Sequence, residues 1–228
     1  GKSTLINAIA GEERCIVSEI AGTTRDAVDV RFEMAGRPFV AIDTAGLRRR
    51  KSFSGDVEYY AYHRMLQAVR RSDVVVFLID ATRKISHVDR KLAQELQRQF
   101  KPTVLVLNKW DLVPKGTDQS EFAEYLTREL RGFDYAPIVL VSAEDGEGIE
   151  DLVSMAFNLR EQAGHRETTG KLNAVIGSIL KQRGPSSRLG TQAKLLYVSQ
   201  VAVDPPTIAM VVNDLVVQGA EPVIDIGD

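Results

Sequence analysis

Gly1-Lys2-Ser3-Thr4-Leu5-Ile6-Asn7-Ala8-Ile9-Ala10-Gly11 opens the chain. GKST matches the end of a phosphate-binding loop, G-x-x-x-x-G-K-[ST], whose first five positions and supporting strand are expected before Gly1. In such a loop, backbone N–H groups and the following helix N-terminus cradle phosphates, the lysine reaches β and γ oxygens, and the hydroxyl binds Mg²⁺. Gly1, Lys2, Ser3 and Thr4 are therefore candidates for phosphate contact, with Lys2 acting on the transferred group and Ser3 on the metal. The expected helix comes next, with Leu5, Ile6 and Ile9 apolar and Gly11 as its stop. GKS by itself arises often by chance, so the spacing of the motifs downstream decides its meaning.

Beyond Gly11, strands and helices alternate. Val28–Met34 reads as a strand, Ala35–Pro38 as a turn and Phe39–Asp43 as a second strand. The stretch Ile16–Asp29 reads as irregular. Val57–Arg71 is expected to be helical, with Ala61, Met65, Leu66 and Val69 on one face. Val74–Ile79 is a continuous apolar run, as in a parallel strand covered on both faces. Ser86 can cap a helix carrying Val88, Leu92, Ala93 and Leu96. Strand Thr103–Leu107, a helix with Phe122, Tyr125, Leu126 and Leu130, strand Ile138–Val141 and a helix from about Gly148 complete the pattern. Such alternation predicts an α/β fold with a mostly parallel sheet, whose ligands sit at the carboxyl ends of the strands. The polar stretch Gly164–Thr169 divides a first domain, 1–164, from a small α+β domain, 165–228. The second domain reads as one helix (Leu172, Val175, Ile176, Ile179, Leu180), strands Ala193–Val203 and Thr207–Asn213, and a short strand Pro222–Ile226.

Four further signals fall at strand ends or in connecting loops. Asp43-Thr44-Ala45-Gly46 closes an apolar strand; its Asp can hold Mg²⁺ and Gly46 can bring an N–H to a γ-phosphate. Asn108-Lys109-Trp110-Asp111 comes after another strand. A carboxylate at Asp111 pairs with guanine N1–H and N2–H₂, and adenine would leave it unpaired, at a cost of at least ~1–3 kcal/mol. Ser142-Ala143 comes after the next strand and can offer a backbone N–H to guanine O6. Gly22-Thr23-Thr24-Arg25-Asp26 carries a threonine, read as Thr24, able to complete the Mg²⁺ shell when a γ-phosphate is present. Each signal has a bland reading as a turn; their joint order is what points to GTP, GDP and Mg²⁺.

GKST, GTTRD, DTAG, NKWD and SA resemble the translation-factor-related bacterial GTPases of the Era, MnmE and EngA (Der) group. DTAGLRRR, the stretch VEYYAYHRMLQAVRRSD and the terminal KLLYVSQVAVDPPTIAMVVN are most similar to the second GTPase domain plus KH-like domain of EngA. The resemblance covers nearly the whole chain. It implies GTP hydrolysis, assembly of the large ribosomal subunit (rRNA and ribosomal proteins) as the setting, and an intramolecular partner in a preceding GTPase domain. The chain departs from the family between Asn213 and Pro222, where a further helix is expected and few residues are present. The family's K⁺-linked asparagine would precede Gly1, so K⁺ enters only as an additional candidate cofactor.

Position 47 adds an expectation of its own. Where Ras-like enzymes place a glutamine that orients water, this chain has Leu47, which cannot hydrogen-bond, so hydrolysis must recruit a cation, another side chain or a partner. Two other readings fit part of the pattern: an MnmE-like tRNA-modification GTPase, and an RNA- or protein-binding module with a vestigial nucleotide site.

Composition bounds the rest. The 228 residues are 44% apolar and 26% charged with a formal charge of −2, which argues against nonspecific nucleic-acid binding by the whole chain. The local balance differs: Arg166, Lys171, Lys181, Arg183, Arg188 and Lys194 face one acid, Glu167, across 166–194. One cysteine, Cys15, excludes an intrachain disulfide, and three scattered histidines offer no metal cage and are expected at the surface. No apolar run approaches the ~20 residues of a membrane span. The chain reads as cytoplasmic.

Overall fold

The computed structural model describes residues 1–12, 15–19, 29–42, 57–183 and 194–213. It divides into two compact units, Gly1–Leu159 and Arg160–Asp228.

The first unit contains helix α1 (Lys2–Gly11), an antiparallel meander of β1 (Cys15–Glu19), β2 (Val30–Met34) and β3 (Arg37–Ala41), and helix α2 (Val57–Arg71). Next come strand β4 (Val75–Asp80), helix α3 (His87–Arg98), strand β5 (Thr103–Asn108), helix α4 (Gln119–Glu129), strand β6 (Ile138–Val141) and helix α5 (Ile149–Ala163), whose last four residues fall in the second unit. Strands β4, β5 and β6 form a parallel sheet in sequence order. The expected α/β architecture is present, but the described strands make two three-stranded sheets, and among the described residues no ladder joins β3 to β4.

β1 corrects the expectation of an irregular stretch. Cys15–Glu19 pairs with Met34–Val30 at the edge of the meander, where Ile16 and Val17 stay exposed. An edge strand with exposed apolar residues lacks the in–out alternation by which a strand is read from sequence. The turn into β3 is also shorter than expected. Ala35 and Gly36 both take positive φ, 51° and 76°, the two-residue hairpin geometry, so β3 begins at Arg37 and its Pro38 sits opposite Glu33.

β5 is the centre of this unit. All six of its residues are buried, and they alternate between two cores. Val104 and Val106 pack with Leu5 and Ile9 of α1, Phe32 of β2 and Leu152 of α5. Leu105 and Leu107 face the opposite way, with Ala93 and Leu96 of α3 and Leu126 of α4. Burying each such side chain contributes roughly 1.5–3 kcal/mol before entropy is counted. The same coverage does not extend to β4, where Val76 is exposed. α3 starts as expected: Ser86 accepts from the Asp89 N–H at 3.2 Å, and the Asp89 carboxylate accepts in turn from the Ser86 N–H at 2.8 Å. Val88 is exposed rather than on the buried face. At the start of α5, Gly148 has φ 77°, and a Cβ there would lie 2.2 Å from the Leu140 carbonyl oxygen, so only glycine fits.

The second unit contains helix α6 (Thr169–Arg183) and the antiparallel pair β7 (Leu195–Val203) and β8 (Pro206–Val212). Asn173 of α6 fastens the helix to β7, accepting from Val198 N–H at 3.1 Å and donating to Val198 C=O at 2.9 Å. Val175 and Ile179, expected on the buried face of this helix, are exposed. The expected strand Pro222–Ile226 lies outside the described residues.

Candidate nucleotide site

The parallel register brings the functional loops to one edge. Asp80, the last residue of β4, lies opposite Asn108, the last of β5, and Asn108 lies opposite Val141, the last of β6. The loops carrying Lys109–Asp111 and Ser142–Ala143 therefore leave the sheet side by side. α1 begins at the same edge: a Cβ on Gly1 would lie 3.8 Å from Leu78, two residues before the end of β4. Lys2 is exposed, Ser3 and Thr4 are half-buried, and Leu5 anchors the first turn in the core. A helix N-terminus with a lysine and a hydroxyl in its first turn suits a phosphate and a hard cation.

The base end is more tightly built. Asn108 is buried, and its Oδ1 accepts from the buried Ala143 N–H at 3.1 Å. Lys109 then adopts φ 65° and ψ 38°, left-handed for a residue with a Cβ, and leads into a 3₁₀ turn over Trp110–Leu112. Trp110 packs edge-on against Phe122 of α4, with ring centroids 5.2 Å apart. The change of direction leaves Asp111 exposed while Asn108 points inward. A carboxylate presented to solvent beside an inward amide is what recognition of a base edge needs.

Ser142 and Ala143 are placed as expected, but their amides already have acceptors. Ser142 N–H donates to Glu147 C=O at 3.1 Å, and Ala143 N–H goes to Asn108. A guanine O6 would have to share the Ala143 donor. Ser142 Oγ donates to Asp145 at 2.9 Å, closing the turn.

Asp80 is absent from the expected set, and the structure brings it to the same edge, against Lys109. Its Oδ2 accepts from Lys109 Nζ at 2.6 Å, and its Oδ1 accepts from Thr82 Oγ1 at 2.6 Å and Thr82 N–H at 3.0 Å. The Lys109 ammonium and then the Thr82 hydroxyl hold its carboxyl down to about 2. The signal available in sequence was an aspartate closing the apolar strand that precedes the NKWD strand.

Thr24, Asp43, Gly46 and Leu47, with the GTTRD and DTAG motifs around them, lie outside the described residues. His63, His87 and His165 are exposed as expected, and among the described residues no group of His, Cys, Asp and Glu could hold a metal by itself. No helix among the described residues is long and apolar enough to cross a membrane. In the second unit the basic excess is partly spent internally. Arg166 donates to Gln200 C=O at 3.0 Å, and Lys171 pairs with Glu167.

This edge of a parallel sheet, with a GKST helix start, NKWD and SA in register, defines a P-loop GTPase fold. Residues 1–109 match the family model described as 50S ribosome-binding GTPase, and residues 166–218 match the KH-domain-like C-terminal region of EngA bacterial GTPase enzymes. The chain belongs to the EngA (Der) family. It is 41% identical over 214 residues to GTPase Der of Rhodopirellula baltica, covering 94% of this chain and 47% of that protein. GTPase Der of Heliobacterium modesticaldum is 42% identical over 215 residues, covering 94% and 49%. The chain thus spans about half the length of the curated relatives it matches. Among solved structures, a single-residue variant of Aquifex aeolicus Era bound to GDP and AlF₄⁻ is similar at TM-score 0.52 and 27% identity, covering 70% of this chain and 52% of that one. Era in complex with MgGDPNP and nucleotides 1506–1542 of 16S ribosomal RNA shares the fold at TM-score 0.52 and 23% identity, covering 92% of this chain and 72% of that one.

Proposed function

We propose that the chain binds GTP and GDP and hydrolyses GTP slowly, as a switch acting in assembly of the large ribosomal subunit. The observation that carries this reading is the base end: Asn108 buried against Ala143, Lys109 turned left-handed, and Asp111 presented at the carboxyl edge. That arrangement offers guanine a carboxylate that adenine would leave unpaired. Asn108, Lys109, Asp111, Ser142 and Ala143 take the base, and Gly1, Lys2, Ser3, Thr4 and Gly46 take the phosphates. Ser3, Thr24 and Asp43 would hold Mg²⁺, which supplies charge neutralisation at the phosphate oxygens. Lys2, Thr24 and Gly46 stabilise the transferred group. Leu47 cannot orient water, so K⁺ or a ribosomal partner is expected to assist.

The ribosomal setting is supported by the description of the family model that matches residues 1–109, 50S ribosome-binding GTPase. On this reading the chain works in the cytoplasm. Residues 1–164 form the GTPase domain and 165–228 the KH-like domain, the whole contacting a preceding GTPase domain. Titration calorimetry and single-turnover hydrolysis, on protein with the complete phosphate loop, test the nucleotide reading. GDP and GTP should bind far better than ATP; equal affinities would refute it. Sedimentation with large ribosomal subunits, in GDP and in a nonhydrolysable GTP analogue, tests the setting. Association should depend on nucleotide, and indifference to it would count against a switch.

A further inference from the structure

Lys109 is the residue at which the chain turns from the buried Asn108 to the exposed Asp111, and it does so in a left-handed conformation that a Cβ disfavours. Such a conformation persists where surrounding contacts over-determine it. The contacts here converge on Asp80. Its Oδ2 takes the Lys109 ammonium at 2.6 Å, and its Oδ1 is held twice by Thr82. The strand ends are themselves tied, since Ala81 N–H donates to Asn108 C=O at 2.9 Å, and the Lys109 carbonyl accepts from Leu112 N–H at 3.1 Å. Asp80 therefore has a fixed direction, and Lys109 is held at both its side chain and its carbonyl.

Lys109 is 39% exposed and Asp80 25% exposed, so the pair is too solvated to add much to folding stability. Its consequence is geometric. We propose that Asp80 is a positioning residue for guanine recognition, acting through Lys109 to hold the turn that presents Asp111, without touching the base. The inference rests on the guanine-nucleotide reading above and adds a residue to it, with Thr82 as the support for that residue.

The test is a double-mutant cycle read by GDP and GTP titration calorimetry on full-length protein with an intact phosphate loop. Asp80→Asn should weaken both nucleotides by the same factor, about tenfold, as expected for loss of a charge-assisted contact. The midpoint of thermal unfolding without nucleotide should barely move. In a Lys109→Met background, adding Asp80→Asn should cost less than about twofold, because the two act as a unit. Thr82→Val should give a smaller loss in the same direction, and its cycle with Lys109→Met replaces the first if Asp80→Asn fails to fold. Losses that multiply in the double variant, or an Asp80→Asn protein with wild-type GDP affinity, would overturn the proposal. Failure of the unsubstituted protein to bind GDP would instead overturn the guanine-nucleotide reading beneath it.

Discussion

The Oδ1 of Asn108 accepts the amide hydrogen of Ala143 at 3.1 Å, and both residues are buried at the carboxyl edge of the parallel sheet. One side chain thereby fixes the distance between the two loops that would grip a base. The bond is sequestered from water, so its loss is not made good by solvent.

Asn108→Ala removes that acceptor and leaves the Ala143 N–H buried without a partner. We expect destabilisation of about 1–3 kcal/mol, measured by urea unfolding without nucleotide. Guanine-nucleotide affinity should fall further than that of Thr4→Ala, which leaves the base end intact. Unchanged stability would mean that the amide finds another acceptor.

Asp111→Asn should exchange guanine for xanthine preference. The exposed carboxylate becomes an amide that offers a donor where xanthine has a carbonyl, while the inward Asn108–Ala143 bond is untouched. Competition between GDP and XDP in calorimetry reads the exchange directly, and retained preference for GDP would place base selection elsewhere.

Acid should act on Asp80 in a defined window. Its carboxyl is held at about 2 against an ordinary 3.8, so the folded state favours the charged form. The associated stabilisation is present above 3.8 and is lost as pH falls toward about 2. Asp80→Asn should therefore flatten the acid limb of the stability curve only below about pH 4. The size of the change should be small, because the pair is partly solvated. An effect of the substitution concentrated near neutral pH would point to another group.

Leu47→Ala should leave GTP hydrolysis close to its unassisted rate, expected at roughly 10⁻⁴–10⁻² s⁻¹, since no polar catalyst is removed. Addition of K⁺ or ribosomal particles should raise the rate in both proteins. A hundredfold loss in single-turnover hydrolysis would assign Leu47 a part in the transition state.

Charge reversal in the second unit tests its basic excess. Lys181 is exposed at the end of α6, whereas Arg166 and Lys171 are already engaged within the unit. Lys181→Glu/Arg183→Glu should weaken ribosomal-RNA binding and lower its salt dependence. The slope should drop by ~0.7–0.9 log units in affinity per log unit of salt for each lost phosphate contact. Binding that ignores both salt and the substitution would turn the surface toward protein.

Local chemistry and strict apolar runs made the order of motifs, the parallel strands Ile138–Val141 and Thr103–Leu107, and the Ser86 cap legible before folding; the structure extends the second strand by one residue, to Asn108. NKWD and SA could be placed at strand ends for the same reason. Tertiary structure alone decided what the strand ends do to one another. Asp80 meets Lys109 across 29 residues and Asn108 meets Ala143 across 35, contacts created by parallel register and invisible to any periodicity. It also decided that Cys15–Glu19 is a strand, since an edge position supplies pairing partners without demanding an alternating pattern. In α6, exposure of Val175 and Ile179 shows the converse: an apolar face is a property of the residues, and its burial depends on which neighbours the fold supplies.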